Sequence, residues 1–129
     1  MNARILLIED KAGLLDTLKS LLELHNYTVY TASNGQEGLV IANRYFPDLV
    51  ISDITMPVLN GYALLDSFRA DPQLSKIPVL IASAKNEAHE IELVMQKGAA
   101  GYLTKPFVFA HLHEEIKRLL GNSMIAAKE

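Results

Sequence analysis

The chain has 129 residues, 50% of them hydrophobic and 21% charged, with a formal net charge of -3 and no cysteine. That length suits one domain; the absent thiols exclude disulfides, thiolate metal sites and cysteine nucleophiles, and the faintly acidic balance lacks the positive footprint that holds nucleic acid by its phosphates. No stretch reaches the apolar length needed to cross a bilayer, and the amino-terminal "RILLI", followed by two acids, lacks the small-residue cleavage site of a signal peptide, so a cytoplasmic protein without a membrane span is expected.

Arg4 to Ile8 is an apolar run of strand length that stops at the acid pair Glu9 and Asp10. Leu14, Leu18, Leu21 and Leu22 then mark one face of a 3.6-residue period, which predicts a helix whose stripe covers a sheet. A second strand is predicted over Thr28 to Ala32. Asn34 followed by Glu37 has the spacing of a capping box, and the helix it opens runs towards Tyr45 and ends before Pro47. Leu49 to Ser52 is the third strand, stopping at Asp53. A third helix follows Gly61 with Leu64, Leu65 and Phe68 inward, and ends near Asp71 and Pro72, where the residue before proline disfavours helix.

The fourth strand is predicted over Ile77 to Ala82, leading to Ser83. The next helix starts around Asn86, turns Ile91, Val94 and Met95 to one side, and ends at Gly98 as a C-terminal cap. Gly101 to Leu103 makes a short fifth strand that leads into Lys105 and Pro106. The last helix runs from about Phe107 to Leu120, with Leu112, Ile116, Leu119 and Leu120 inward, and Gly121 stops it. The expected organisation is one domain over residues 1–121 and a short tail over 122–129, without internal repeats or linkers.

Strands alternating with helices imply a parallel sheet covered on both faces, since each right-handed parallel crossover needs a helix. The fourth strand is apolar on successive residues, as two covered faces require. Periodicity does not set the strand order. Under the order 2-1-3-4-5, the ends of strands 1 and 3 border the crevice where such sheets bind ligands, and Glu9, Asp10 and Asp53 crowd one edge.

Like charges so close resist ionising together unless a cation intervenes. Magnesium suits the set, because it takes one or two carboxylates, several waters and a phosphoryl oxygen. Each feature alone has a plainer reading: an Asp after a strand is commonly a turn residue, and an acid pair before a helix favours the helix dipole. Ser83 and Lys105 at two further strand ends add a hydroxyl and an ammonium to the same rim. Together these groups describe a phosphoryl site.

The chain resembles the receiver domain of two-component response regulators over roughly residues 4 to 120. Glu9-Asp10, "DLVISDITMPVLNG" around Asp53 with Pro57 and Gly61, Ser83, and "GYLTKPF" with Tyr102, Lys105 and Pro106 carry the resemblance. It implies a flavodoxin-like, doubly wound (βα)5 fold with the strand order 2-1-3-4-5, an order that the family is known for. It also implies that Asp53 is the phosphoacceptor, attacking a phosphohistidine to become an acyl phosphate. Asp10 would bind magnesium directly and Glu9 through water, with Asp53 and the backbone carbonyl of Thr55 completing the ligands. Lys105 would meet a phosphoryl oxygen across a cis bond to Pro106.

Ser83 and Tyr102 would form the switch, the hydroxyl moving to the phosphoryl group and the ring turning inward to remodel the face made by the fourth helix, fifth strand and fifth helix. The implied role is a phosphorelay signalling domain rather than an enzyme, one that promotes its own phosphorylation and dephosphorylation. Its implied partners are a histidine kinase or phosphotransfer protein and a downstream effector, with dimerisation through the switch face allowed. The departures from the family pattern are small. Glu9 stands where many members have Asp, Lys11 where a polar or acidic residue is frequent, and Ala100-Gly101 where acids often precede the aromatic. Thr55 and Lys85 occupy positions where the family varies and tunes the phosphoryl lifetime.

Two alternatives compete. A magnesium-dependent aspartate-nucleophile phosphatase of the haloacid dehalogenase type would carry a second Asp where Thr55 stands. A flavin or nucleotide carrier would need a Gly-rich loop where "IEDKAG" places acids. His25, His89, His111 and His113 read as solvated, because His111 and His113 are spaced wrongly for a metal pair on a helix. Glu87, Glu90, Glu114 and Glu115 are expected in first turns of helices, serving the dipole.

Overall fold

The computed structural model describes residues 2–128, and the side chains of residues 2–121. Strands and helices alternate as β1 (Arg4–Ile8), α1 (Ala12–Leu24), β2 (Thr28–Ala32), α2 (Gly35–Tyr45), β3 (Leu49–Ser52), α3 (Gly61–Ala70), β4 (Val79–Ser83), α4 (Ala88–Gln96), β5 (Gly101–Thr104) and α5 (Phe109–Lys128). The five strands pair in parallel in the order β2-β1-β3-β4-β5. This is the flavodoxin-like, doubly wound arrangement.

Alternate strand residues point to opposite faces of a sheet, and both faces here are buried. Leu6, Ile8, Val50, Val79 and Ile81 join Ala42, Leu64, Leu65, Phe68 and Val94 from α2, α3 and α4 in one apolar cluster. Ile5, Leu7, Leu49, Ile51, Leu80 and Ala82 join Leu18, Leu22, Leu112 and Ile116 from α1 and α5 in the other. The register sets Ile8 opposite both Ala32 and Ser52, and Ser83 opposite Thr104. Residues that follow these strand ends therefore emerge side by side.

Helix starts follow local chemistry. Asn34 Oδ1 accepts the Glu37 amide at 2.9 Å, and Glu37 Oε1 reaches back to the Ser33 amide at 3.0 Å, one residue before the cap. Asn60 caps α3 in the same way, accepting the Ala63 amide at 3.0 Å.

Several expected boundaries shift. β4 begins at Val79 rather than Ile77, because a 3-10 turn over Leu74–Lys76 draws the Ile77 amide to the Leu74 carbonyl and Pro78 has no amide to give. α4 begins at Ala88 rather than Asn86, and its Val94 is fully buried while Met95 is 43% exposed, so Met95 lies off the buried stripe. α5 begins at Phe109 rather than Phe107 and breaks at Gly121 (φ 52°, ψ -148°), beyond which helical backbone resumes to Lys128. Glu114 and Glu115 are outside the first turn of α5, and Glu115 instead pairs with Arg118 at 2.9 Å. No helix among the described residues is long and apolar enough to cross a membrane.

Candidate functional site

Because β1 and β3 are neighbours, the residues that end them meet. Carboxylate oxygens of Glu9, Asp10 and Asp53 all lie within 4.8 Å of one another. Glu9 is 3% and Asp53 7% exposed, whereas Asp10 faces solvent. Burying two carboxylates together is costly unless they are paired.

Lys105 supplies the pairing from the far end of β5. Its Nζ donates to Glu9 Oε1 at 2.5 Å and to Asp53 Oδ2 at 2.9 Å. Backbone amides take the other oxygens: Ile54 and Thr55 donate to Asp53 Oδ1 at 2.6 and 3.4 Å, and Lys11 donates to Glu9 Oε2 at 3.2 Å. Burial works to lower the Lys105 pKa, but the hydrogen bonds and charges of Glu9 and Asp53 outweigh it and hold the ammonium above its ordinary value. The peptide bond from Lys105 to Pro106 is cis.

Three carboxylates against one ammonium leave a surplus of negative charge at an open edge. That donor set, all oxygen with one acid exposed, fits a hard divalent cation, which magnesium exemplifies. Thr55 is exposed just beyond Asp53, at the same rim.

The loop after Asp53 is held tightly. A Cβ on Gly61 would lie 2.6 Å from the Asp53 carbonyl oxygen and 2.7 Å from the Ile54 Cα, so only glycine lets α3 start this close to the site. The Gly61 amide donates to the Ile54 carbonyl at 2.8 Å. Val58, 79% exposed, turns the chain with φ 68° while the Leu59 amide bonds the Pro57 carbonyl at 2.7 Å. This γ-turn is a strained shape for a β-branched residue.

Ser83 ends β4 and Tyr102 is the second residue of the adjacent β5, and neither touches Asp53 through a hydrogen bond. The Ser83 hydroxyl, 1% exposed, accepts the Lys85 amide at 3.2 Å. The Tyr102 ring packs against the apolar cluster of the α2, α3 and α4 face, and its hydroxyl donates to the Lys85 carbonyl. Burial raises the Tyr102 pKa; the Ser83 hydroxyl pulls it down, and the charges of Glu90 and Asp53 add to the rise.

Sequence reasoning missed a neighbouring group. The Tyr62 hydroxyl donates to Glu90, which also faces Lys85 Nζ at 3.8 Å and His89 Nε2 at 3.7 Å. Desolvation and Glu90 together push the Tyr62 pKa up to about 12, and the Tyr62 bond holds Glu90 below the usual carboxylate range. A tyrosine directly after the loop glycine was the one available signal. Glu90 does lie in the first turn of α4, as expected, yet it serves a side-chain partner there as well as the dipole.

His25, His89 and His111 are exposed. His113 is a correction to the solvated reading: it is partly buried, its Nε2 is 3.0 Å from the Tyr27 hydroxyl, and its ring meets those of His25 and Phe109 at 4.7 and 5.7 Å. α5 packs over the sheet there, so one side of the helix is not free.

By class, this is a doubly wound α/β domain with an acidic cluster at the carboxyl edge of its sheet. The chain belongs to the response regulator receiver domain family, whose model matches residues 5–117. It is 35% identical over 127 residues to the alkaline phosphatase synthesis transcriptional regulatory protein PhoP of Bacillus subtilis, a match covering 98% of this chain and 52% of that protein. It is 38% identical over 104 residues to protein PilH of Pseudomonas aeruginosa, covering 81% of this chain and 86% of that one. The solved chemotaxis protein CheY4 of Vibrio cholerae superposes with a TM-score of 0.87 at 28% identity, covering 92% of this chain and 99% of the other. The chain spans about half the length of most of the curated relatives it matches. The phosphatase alternative finds no support in any of these matches.

Proposed function

We propose that Asp53 accepts a phosphoryl group in a magnesium-dependent reaction and that the acceptance switches a binding face. The observation that carries this reading is the convergence of Glu9, Asp10 and Asp53 within 4.8 Å, with Lys105 bonded to two of them. An Asp53 carboxylate oxygen attacks phosphorus, the bond from phosphorus to the donor's imidazole nitrogen breaks, and the imidazole leaves with its electron pair and takes up a proton. The product is an acyl phosphate on Asp53.

Magnesium, held by Asp10, Asp53 and the Thr55 carbonyl and by Glu9 through water, would neutralise charge on the transferring group. Lys105 releases Asp53 Oδ2 to meet a phosphoryl oxygen as a point charge. The Ile54 amide, 2.6 Å from Oδ1, fixes the carboxylate so that one oxygen faces outward for attack. Ser83 gives up the Lys85 amide and turns its hydroxyl to the phosphoryl group, while Tyr102 reports the change to the face of α4, β5 and α5.

In this reading the chain promotes its own phosphorylation and slow dephosphorylation, and otherwise acts by binding. The donor is a histidine kinase or phosphotransfer protein, the receiver of the signal is an effector protein or domain, and the switch face supports dimerisation on phosphorylation. The unit extends through Gly121, with residues 122–129 as a tail, and it works in the cytoplasm. Incubation with magnesium and acetyl phosphate should add the mass of one phosphoryl group to the chain and none to Asp53→Asn. An adduct of equal yield on Asp53→Asn overturns the assignment.

A further inference from the structure

His25 and His113 meet across two helices on the side of the molecule away from α3 and α4. His25 is the C-terminal cap of α1 and is exposed, while His113 lies one turn into α5 and is partly buried. Their ring centroids are 4.7 Å apart, with the planes at 67°. Two imidazoles on one ion, at metal to nitrogen distances of about 2.0–2.1 Å and an angle between square and tetrahedral, have centroids about 4.5–5.2 Å apart. The observed spacing falls in that range.

Each ring is also oriented through one nitrogen. His25 Nδ1 lies 2.9 Å from the Leu21 carbonyl, which can only accept, so the neutral ring carries its proton there and keeps the Nε2 lone pair free. His113 Nε2 lies 3.0 Å from the Tyr27 hydroxyl, which can accept as well as donate. With the proton on Nε2 donated to Tyr27, His113 Nδ1 holds the lone pair. Such a partner on the far nitrogen is the usual support of a metal-ligating histidine. The Phe109 ring, 5.0 Å from His25 and 5.7 Å from His113, shelters the pair on one side. The last turn of α1 holds no basic residue, so the partial negative charge of its carbonyl end is open to a cation.

We infer that His25 and His113 form a binding site for a divalent transition-metal ion of the imidazole-preferring kind, zinc, nickel or copper, which pins the end of α1 to the start of α5. Waters complete the coordination. Nitrogen ligands without a carboxylate disfavour magnesium, so the site differs in chemistry from the acid cluster of Glu9, Asp10 and Asp53. Two protein ligands, set against the nearby charge of Lys117, make it an exchangeable site rather than a permanent structural one. Only folding brings the two rings together, so the ion stabilises the folded chain by mass action. His111, two residues from His113 on the same helix, faces another way and takes no part.

Titration of zinc into the full chain, followed by imidazole 15N NMR at neutral pH, tests the site. Magnesium in excess competes for the acid cluster, and no phosphodonor is present. His25 and His113 should shift along one saturation curve while His111 stays in place. His25→Gln and His113→Gln should each weaken that binding by at least about tenfold, and Tyr27→Phe should weaken it about tenfold with both ligands retained. Zinc should also raise the thermal midpoint of the unchanged chain more than that of His25→Gln. Shifts of one of the two histidines without the other, or an affinity unchanged in both glutamine variants, overturn the inference. His25→Gln, at an exposed position, decides it if His113→Gln does not fold. The histidine shifts are read without any phosphoryl transfer, so a failed Asp53 adduct overturns only the phosphoacceptor reading, and unmoved histidines overturn only this one.

Discussion

The two faces of the sheet are built differently. Against α1 and α5, ten buried apolar side chains interlock, and the polar contacts of Tyr27 with His113 lie at the margin. Against α2, α3 and α4 the apolar cluster is larger, but its border with the site is a polar relay from Tyr62 through Glu90 and Lys85 to Tyr102. Packing is non-directional and tolerates no half-formed state, whereas a chain of hydrogen bonds can be exchanged for another chain. The first face anchors the domain, and the second carries at its border the contacts that the proposed switch would exchange.

Substitutions can break that contrast. Leu22→Ala removes a fully buried side chain from the anchoring face and should cost about 2–5 kcal/mol in urea unfolding. Tyr62→Phe, on the other face, should cost about 1 kcal/mol. A larger loss from Tyr62→Phe than from Leu22→Ala would reverse the assignment of anchor and exchangeable border.

An effect between those two belongs to the site between the faces. Lys105→Met strands the buried Glu9 and Asp53 carboxylates and should cost about 2 kcal/mol, below the ~3–5 kcal/mol of a wholly buried pair because Lys105 keeps 14% exposure. Magnesium should recover part of that loss in the thermal midpoint. No recovery would show that the acid cluster does not hold the ion.

The smallest effect is in pH. Burial, with the nearby charges of His25 and Lys117, holds the His113 pKa below its ordinary value of 6.5. The folded chain therefore binds fewer protons there than the unfolded one. Its contribution is complete above pH 6.5 and is lost as pH falls through the depressed folded value. His113→Phe should flatten the midpoint against pH below 6.5, and an unaltered slope would free the anchoring face of this dependence.

Much of the site was legible because each strand stops abruptly at a polar residue. Leu49, Val50 and Ile51 before Asp53, and Leu6 to Ile8 before Glu9, place those acids at strand ends whatever the strand order. The order itself came with the family resemblance, since periodicity carries no information on which strands are neighbours. The Tyr62 to Glu90 contact joins residues 28 apart, and nothing in either local sequence names its partner. His113 and Met95 were misplaced for a related reason: which side of a helix is covered depends on how the neighbouring elements cross it. The Leu74–Lys76 turn was hidden because a three-residue 3-10 segment has too short a period to register.

The central claim is that one particular carboxylate receives the phosphoryl group. Treating the chain with magnesium and acetyl phosphate, then reducing it with borohydride, converts an aspartyl phosphate to homoserine, and peptide mass spectrometry locates the change. The account predicts homoserine at position 53. Reduction at Asp10 or Glu9, or at no residue of a folded chain, would contradict it.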